Sequence, residues 1–362
     1  MRGGEPTLRS GRNGALDAVR GIAILLVMAG HAGFPGAPFA SAVGVTLFLL
    51  MSGFLITTLL ADERARTGRI DLRRFIVRRS LRILPAALVA IAAWTAYAKW
   101  QTVGHPSRDA LVTLFDVSNF VRAGGTELGP FSHMWTLSMQ EQFYLVWPLA
   151  LLAAWRLGRH APVAIALIVA SASALDRFVL TSALGPGPRI EFGPDTRIDA
   201  LLFGSAVALL VGRQLIFRLE RWWPSIAAVS LIAILALTTG SWGSAALSFE
   251  VGIPAAELFG IGLLLAAVAY GDRLWLSLKP LIAIGRVSYG LYLWHFPIML
   301  AVQPRLWWLN IWLSIAVVFA LSFAAAWLSW RVVEMPFMRV RSRIAPRVAV
   351  AAPRDSSALA VS

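Results

Sequence analysis

LDAVRGIAILLVMAGHAG, residues 16–33, decides the fold, because it reads as one membrane helix with an ionisable group near each end. Arg20 and His31 bracket GIAILLVMAG, an almost unbroken apolar run over residues 21–30. Eleven steps at 100° per residue nearly close three turns, so the two side chains share a face. At the helical rise they stand roughly 16 Å apart, about half the hydrocarbon thickness of a bilayer. Titratable groups at such depths are costly and usually face a polar cavity. The run imitates a signal peptide, but its Arg/His pair and the second apolar run that follows at once argue for a retained first helix.

Outward from this helix the same texture continues. The chain is 58% hydrophobic and 14% charged, with a mean hydropathy of +0.69, which excludes a soluble domain. The apolar runs are continuous rather than alternating, which excludes a spanning β-barrel and predicts an all-α, polytopic membrane helix bundle. Ten spans account for the pattern, at about 16–33, 38–61, 81–100, 135–155, 161–181, 197–213, 224–240, 251–270, 281–303 and 309–332. Semi-polar residues 105–122 read as a loop or short interfacial helix, with an eleventh span as the alternative. There is no cysteine, hence no disulfide, thiolate metal site or Cys-based acyl carrier.

With both termini cytoplasmic, about 23 Lys and Arg fall on that side against about 7 on the other, the bias an even number of spans requires. The net charge of +14 is therefore a one-sided surface suited to anionic lipid or a polyanionic cofactor. No aromatic-basic platform for nucleic acid accompanies it. Residues 1–15 read as a cytoplasmic segment, 16–337 as the membrane domain and 338–362 as a basic, disordered cytoplasmic tail. Arg outnumbers Lys 31 to 2, which suggests a GC-rich bacterial genome and a multi-pass protein of the cytoplasmic (inner) membrane.

Five further groups are candidates to carry chemistry. Arg78, Arg79 and Arg82 lie just before the third span in RRSLRILP, and their spacing sets guanidiniums on neighbouring positions of one helix. Guanidinium forks hold phosphate oxygens bidentately, so this cluster beside Arg20 suits the pyrophosphate and 3′-phosphate of coenzyme A; a plain basic flank is the other reading. Glu141 lies in FSHMWTLSMQEQFYLVWP, residues 131–148, at a depth expected to match His31, where it would orient that ring. Its aromatic neighbours Trp135, Phe143, Tyr144 and Trp147 read mostly as an interfacial belt, with Tyr144 also a candidate for substrate contact. His295, in GRVSYGLYLWHFP at residues 285–297, either bonds a backbone carbonyl freed by Pro297 or lines the cavity near His31. Arg197 and Asp199, in DTRIDALLFG, form a polar wall for an acceptor, and Glu334 pairs with an inner Arg.

Taken in order, LDAVRGIAILLVMAGH, GVTLFLLMSGFLITTLL, RRSLRILP, WTLSMQEQFYLVWP, RIDALLFG, GRVSYGLYLWHFP and VEMPF resemble the membrane acyltransferase-3 family from Leu16 to Phe337. The resemblance implies an O-acyltransferase that takes an acyl group, usually acetyl, from cytoplasmic acyl-CoA to a hydroxyl, commonly of a sugar. Acetyl-CoA is then the donor, a hydroxylated glycan or glycosylated small molecule the acceptor, and no metal is needed. The family's Arg/Lys-x10-His signature falls on Arg20 and His31, and its Arg-x-x-Arg signature on Arg79 and Arg82. Carried over, Arg20, Arg79 and Arg82 support the donor and His31 is the catalytic histidine. The family usually reads Ser-x-Glu-Glu-Gln-Phe where this chain has Gln140 and Glu141, so the acidic role passes to Glu141 alone. Some relatives add an esterase-like domain, and the chain reads as a stand-alone membrane module. Direct transfer through His31 and a two-step route through an acyl-His both remain open. A proton-coupled transporter or a non-catalytic membrane scaffold are the other classes compatible with buried His, Glu and Arg.

Overall fold

The structure, a computed structural model, describes residues 14–211, 222–240, 244–270 and 278–344. The expected N-terminal segment up to residue 13, the basic stretch 213–221, residues 271–277, and the tail from 345 lie outside the described residues.

Helices α1 (Gly14–His31), α2 (Ala40–Thr67) and α3 (Leu72–Trp100) come first. Two short helices, α4 (Pro106–Leu114) and α5 (Ser118–Ala123), and a 3-10 turn (Gly129–Met134) lead into α6 (Trp135–Leu157) and α7 (Ala161–Leu184). Next, α8 (Pro188–Phe192) and α9 (Pro194–Arg197) connect to α10 (Asp199–Val211). The second half comprises α11 (Trp223–Thr238), α12 (Ala245–Leu247), α13 (Ile253–Tyr270), α14 (Lys279–Arg286), α15 (Ser288–Val302), α16 (Ile311–Ser329) and α17 (Met335–Ile344). No strand occurs among the described residues.

Among the described residues, six stretches are long and apolar enough to cross a membrane: Gly14–His31, Ala40–Thr67, Leu72–Trp100, Ala161–Leu184, Ala245–Ala269 and Ile311–Val340. The remaining expected segments are helical but shorter, as in Trp223–Thr238, or more polar, as in α6. The central element is α2, mostly buried, with α1 against one side and α10 against another. Glycines permit those close crossings. A Cβ on Gly53 would overlap the Leu201 carbonyl oxygen, and one on Gly204 would overlap that of Leu50, so α2 and α10 touch backbone to backbone. Gly21 and Gly285 do the same where α1 meets α14. On the periphery α3, α7 and α16 expose Leu84, Leu88, Ile168, Leu175, Leu321 and Leu328, the surface that lipid chains would cover.

Three local features position the site. First, α3 begins at Leu72 rather than near residue 81, because the Asp71 side chain caps it, accepting from the Arg74 amide at 2.9 Å. Arg78, Arg79 and Arg82 therefore ride inside one continuous helix with the apolar run. Second, the expected span 281–303 is broken at Val287 into α14 and α15, which turns Ser288 toward Arg20. Third, residues 105–122 are two short helices, and the turn between them docks on α6, where the Gln142 side-chain amide donates to the Asp116 carbonyl at 2.6 Å and to Asn119 Oδ1 at 2.9 Å.

Candidate active site

Two polar clusters occupy the two ends of α1. At its C-terminal end, His31 is half-buried and its Nδ1 lies 3.0 Å from Nε2 of His295 on α15. The rings are nearly parallel, with centroids 5.2 Å apart and planes 20° from each other. His295 is buried, and its Nδ1 lies 3.0 Å from the Leu291 carbonyl and 2.9 Å from that of Tyr292. The carbonyl that Pro297 leaves unpaired in a helix is that of Leu293, so His295 bonds elsewhere than expected. A third imidazole, His133 from the 3-10 turn before α6, stacks on Phe296 at 5.0 Å and meets His295 edge-on at 5.4 Å. The Tyr292 hydroxyl lies 3.0 Å from Thr136 Oγ1 and also donates to the His133 carbonyl, tying α15 to the start of α6. Among the described residues no group of three His, Asp or Glu is placed to hold a metal ion.

His31 opens onto a small cavity of about 50 Å³ whose wall also includes Trp135, Tyr292, Glu191 and Arg197. Arg197 is buried, donates to Thr46 Oγ1 at 3.3 Å and lies 6.0 Å from the centre of the Trp135 ring. One expected member of this wall faces away from it. Asp199 is fully buried in an ion pair with Arg177 of α7, whose guanidinium also lies 3.7 Å from Glu257 of α13. Two buried carboxylates demand such a counter-charge in an apolar bundle, which is why Asp199 turns toward α7. Arg197, by contrast, lines the cavity.

At the other end of α1, Arg20 donates to Ser288 Oγ at 3.0 Å. Arg79 forms a two-pronged ion pair with Glu141, at 3.1 and 3.4 Å, and its guanidinium lies over the Tyr144 ring. Gln140 does not join that pair; its side-chain oxygen accepts from Ser52 at 3.0 Å and from Tyr144 at 3.1 Å. Arg82, Arg79 and Tyr144 all lie within electrostatic reach of Arg20, and Glu334 within reach of Arg82 and Arg20. Arg78 is half-buried and set about 100° around α3 from Arg79.

Sequence reasoning thus paired Glu141 with the wrong group. Its partner is Arg79, and the group that meets the His31 ring is His295. The depth estimate failed because α6 starts level with the histidines, at Thr136, and carries Glu141 about 7.5 Å further along the axis. Tyr144 likewise belongs to the arginine cluster rather than to the cavity. Reasoning from sequence passed over His133, Ser288, Trp135 as a cavity wall, and Glu191. For His133 a signal existed, since FSHMW sets an imidazole among apolar residues directly before a span.

A helix bundle with membrane-spanning helices, an imidazole cluster beside a cavity and a guanidinium cluster roughly 16 Å back along α1 defines a polytopic membrane protein built around a paired polar site. Residues 13–331 match the model of the family described as "Acyltransferase domain", and the chain belongs to that family. It is 29% identical over 351 residues to the peptidoglycan O-acetyltransferase OatA of Listeria monocytogenes, covering 90% of this chain and 56% of that protein. Against the O-acetyltransferase OatA of Staphylococcus aureus it is 31% identical over 322 residues, covering 80% and 51%. The putative peptidoglycan O-acetyltransferase YrhL of Bacillus subtilis is 29% identical over 316 residues, 80% of this chain and 49% of that one. The chain spans about half the length of the curated relatives it matches. No solved structure matches it.

Proposed function

We propose that the chain is an integral-membrane O-acyltransferase that moves an acyl group, acetyl in the first instance, from cytoplasmic acyl-CoA to a hydroxyl of a carbohydrate or glycosylated acceptor at the extracytoplasmic side. Ten spans with both termini cytoplasmic, in a bacterial inner membrane, provide its frame. The arrangement along α1 carries this reading. His31, beside a cavity, and Arg20, in a cluster of guanidiniums, stand roughly 16 Å apart on one face of one helix. Names of the relatives support a carbohydrate acceptor, with a cell-wall glycan first among candidates.

In this reading Arg20, Arg79 and Arg82 hold the phosphates of the donor, for which guanidinium forks are suited. The thiol arm then runs between helices toward His31. Neutral His31 takes the proton from the acceptor hydroxyl as that oxygen attacks the thioester carbonyl. The tetrahedral adduct collapses, the C–S bond breaks, and the coenzyme A thiolate leaves with the proton that His31 returns. Trp135 and Arg197 offer the acceptor a flat apolar face and hydrogen-bond donors beside the base.

The test uses the full chain in nanodiscs with labelled acetyl-CoA and measures release of free coenzyme A. His31→Ala is expected to lower turnover about 100-fold or more, the usual size of a lost general base. Equal turnover in that variant overturns the role of His31, and failure of the wild type to bind acetyl-CoA overturns the donor.

A further inference from the structure

Hydrogen-bond geometry around His31 determines where its proton resides. The anchor is His295, whose Nδ1 faces two backbone carbonyl oxygens at 3.0 and 2.9 Å. A carbonyl oxygen only accepts, so this nitrogen carries the hydrogen. The side chain is 1% exposed, with His31, His133, Tyr292 and Phe296 as its ring neighbours and no carboxylic acid among its described hydrogen-bond or ring partners. A charge there is costly, which keeps the ring neutral and leaves its Nε2 with a lone pair. That lone pair lies 3.0 Å from His31 Nδ1. Two bare nitrogens, or two N–H groups, would repel at this distance, so His31 Nδ1 is the donor. The remaining nitrogen of His31, Nε2, is then the one free to accept a proton.

We propose that His295 is a positioning residue that locks His31 in the Nδ1–H tautomer and thereby makes Nε2 the base. The relay runs from backbone carbonyl to His295 to His31, and it takes the place that a carboxylate fills in the more familiar carboxylate–imidazole pairs. His133 and Phe296 support it mechanically. His133 stands edge-on to His295, and Phe296 meets His31 at 5.0 Å with planes 72° apart, so packing restrains both imidazoles from rotating. The proposal rests on the reading of His31 as the base, but the tautomer itself is a ground-state property that exists without turnover.

That separation gives the experiment. The chain has five histidines, so ring-labelled ¹⁵N-histidine in the full chain, in nanodiscs, yields a spectrum that single substitutions can assign. Wild-type His31 is expected to show a protonated Nδ1 and a bare Nε2. His295→Phe keeps a ring but removes the acceptor, so the His31 signals should shift toward the Nε2–H form. In the same variant kcat should fall about 100-fold or more while the KM for acyl-CoA changes little, because a misplaced proton disables a base without loosening the donor. His295→Gln, whose side-chain oxygen reaches the same place, should restore the Nδ1–H signal and about a tenth or more of kcat. A protonated Nε2 on His31 in the wild type overturns the proposal. So does His295→Phe with unchanged His31 signals, whether or not activity falls. If the signals behave as stated while His31→Ala remains active, the lock stands and the role of His31 as base is what fails.

Discussion

In the proposed function Arg79 serves two partners, one inside the protein and one delivered by the donor. Its guanidinium is paired with Glu141 and lies over Tyr144. In that reading the donor phosphates share or displace the carboxylate. Arg79→Ala should raise the KM for acyl-CoA about tenfold or more with a smaller change in kcat, since a charge-assisted phosphate contact is lost in ground and transition states alike. Saturation curves against acyl-CoA measure this, and an unchanged KM removes Arg79 from the donor site. Glu141→Gln distinguishes the two places where a carboxylate was expected to act. Beside the arginines it should shift KM and leave kcat within a fewfold of wild type. A loss of kcat as large as that of His31→Ala would return Glu141 to the histidine. The shared face of Arg20 and His31 followed directly from the 100° step of a helix, whereas the partner of Glu141 depended on where two separate helices begin.

Elements explain why the second kind of information is hard to read. Apolar runs announce helices, but Asp71 starts α3 well ahead of its apolar run, and that offset slides Arg79 into register with α6. A run of apolar residues over 281–303 likewise conceals the break at Val287, just past which Ser288 meets Arg20. His133 and His295 are 162 positions apart and become neighbours only through packing of α15 on the turn before α6. Small residues are easier to interpret once the crossing is known. Gly53→Val should destabilise the α2–α10 contact by about 1–3 kcal/mol or more, as overpacking at a tight contact does. Thermal unfolding of the full chain in one fixed detergent reports it as a lower Tm, and an unaltered Tm would mean that the helices separate there at no cost.

At the scale of the whole molecule, an all-helical bundle was legible from composition and periodicity, because continuous apolar runs admit no other spanning structure. The number of crossings was less so, since α11 and α15 are short and α6 is polar on the face that carries the site. Absence of cysteine makes the ten-span topology directly testable, as any introduced thiol is the sole one. Arg66→Cys, near the exposed end of α2, should react with a membrane-impermeant maleimide only after cells are opened. Trp307→Cys, at a position 85% exposed, should react in intact cells. Labelling of both under the same condition would discard that topology. Placing Arg20 and His31 on a single helix has a consequence for which molecules the protein accepts. Their spacing follows the pitch of one hydrogen-bonded coil and owes nothing to how two elements happen to pack. Changes in lipid thickness or breathing of the bundle tilt α1 without stretching it. In the proposed function the helix is thus a caliper of constant opening, and a donor would qualify by the reach of its flexible arm between an anionic head and a reactive tip.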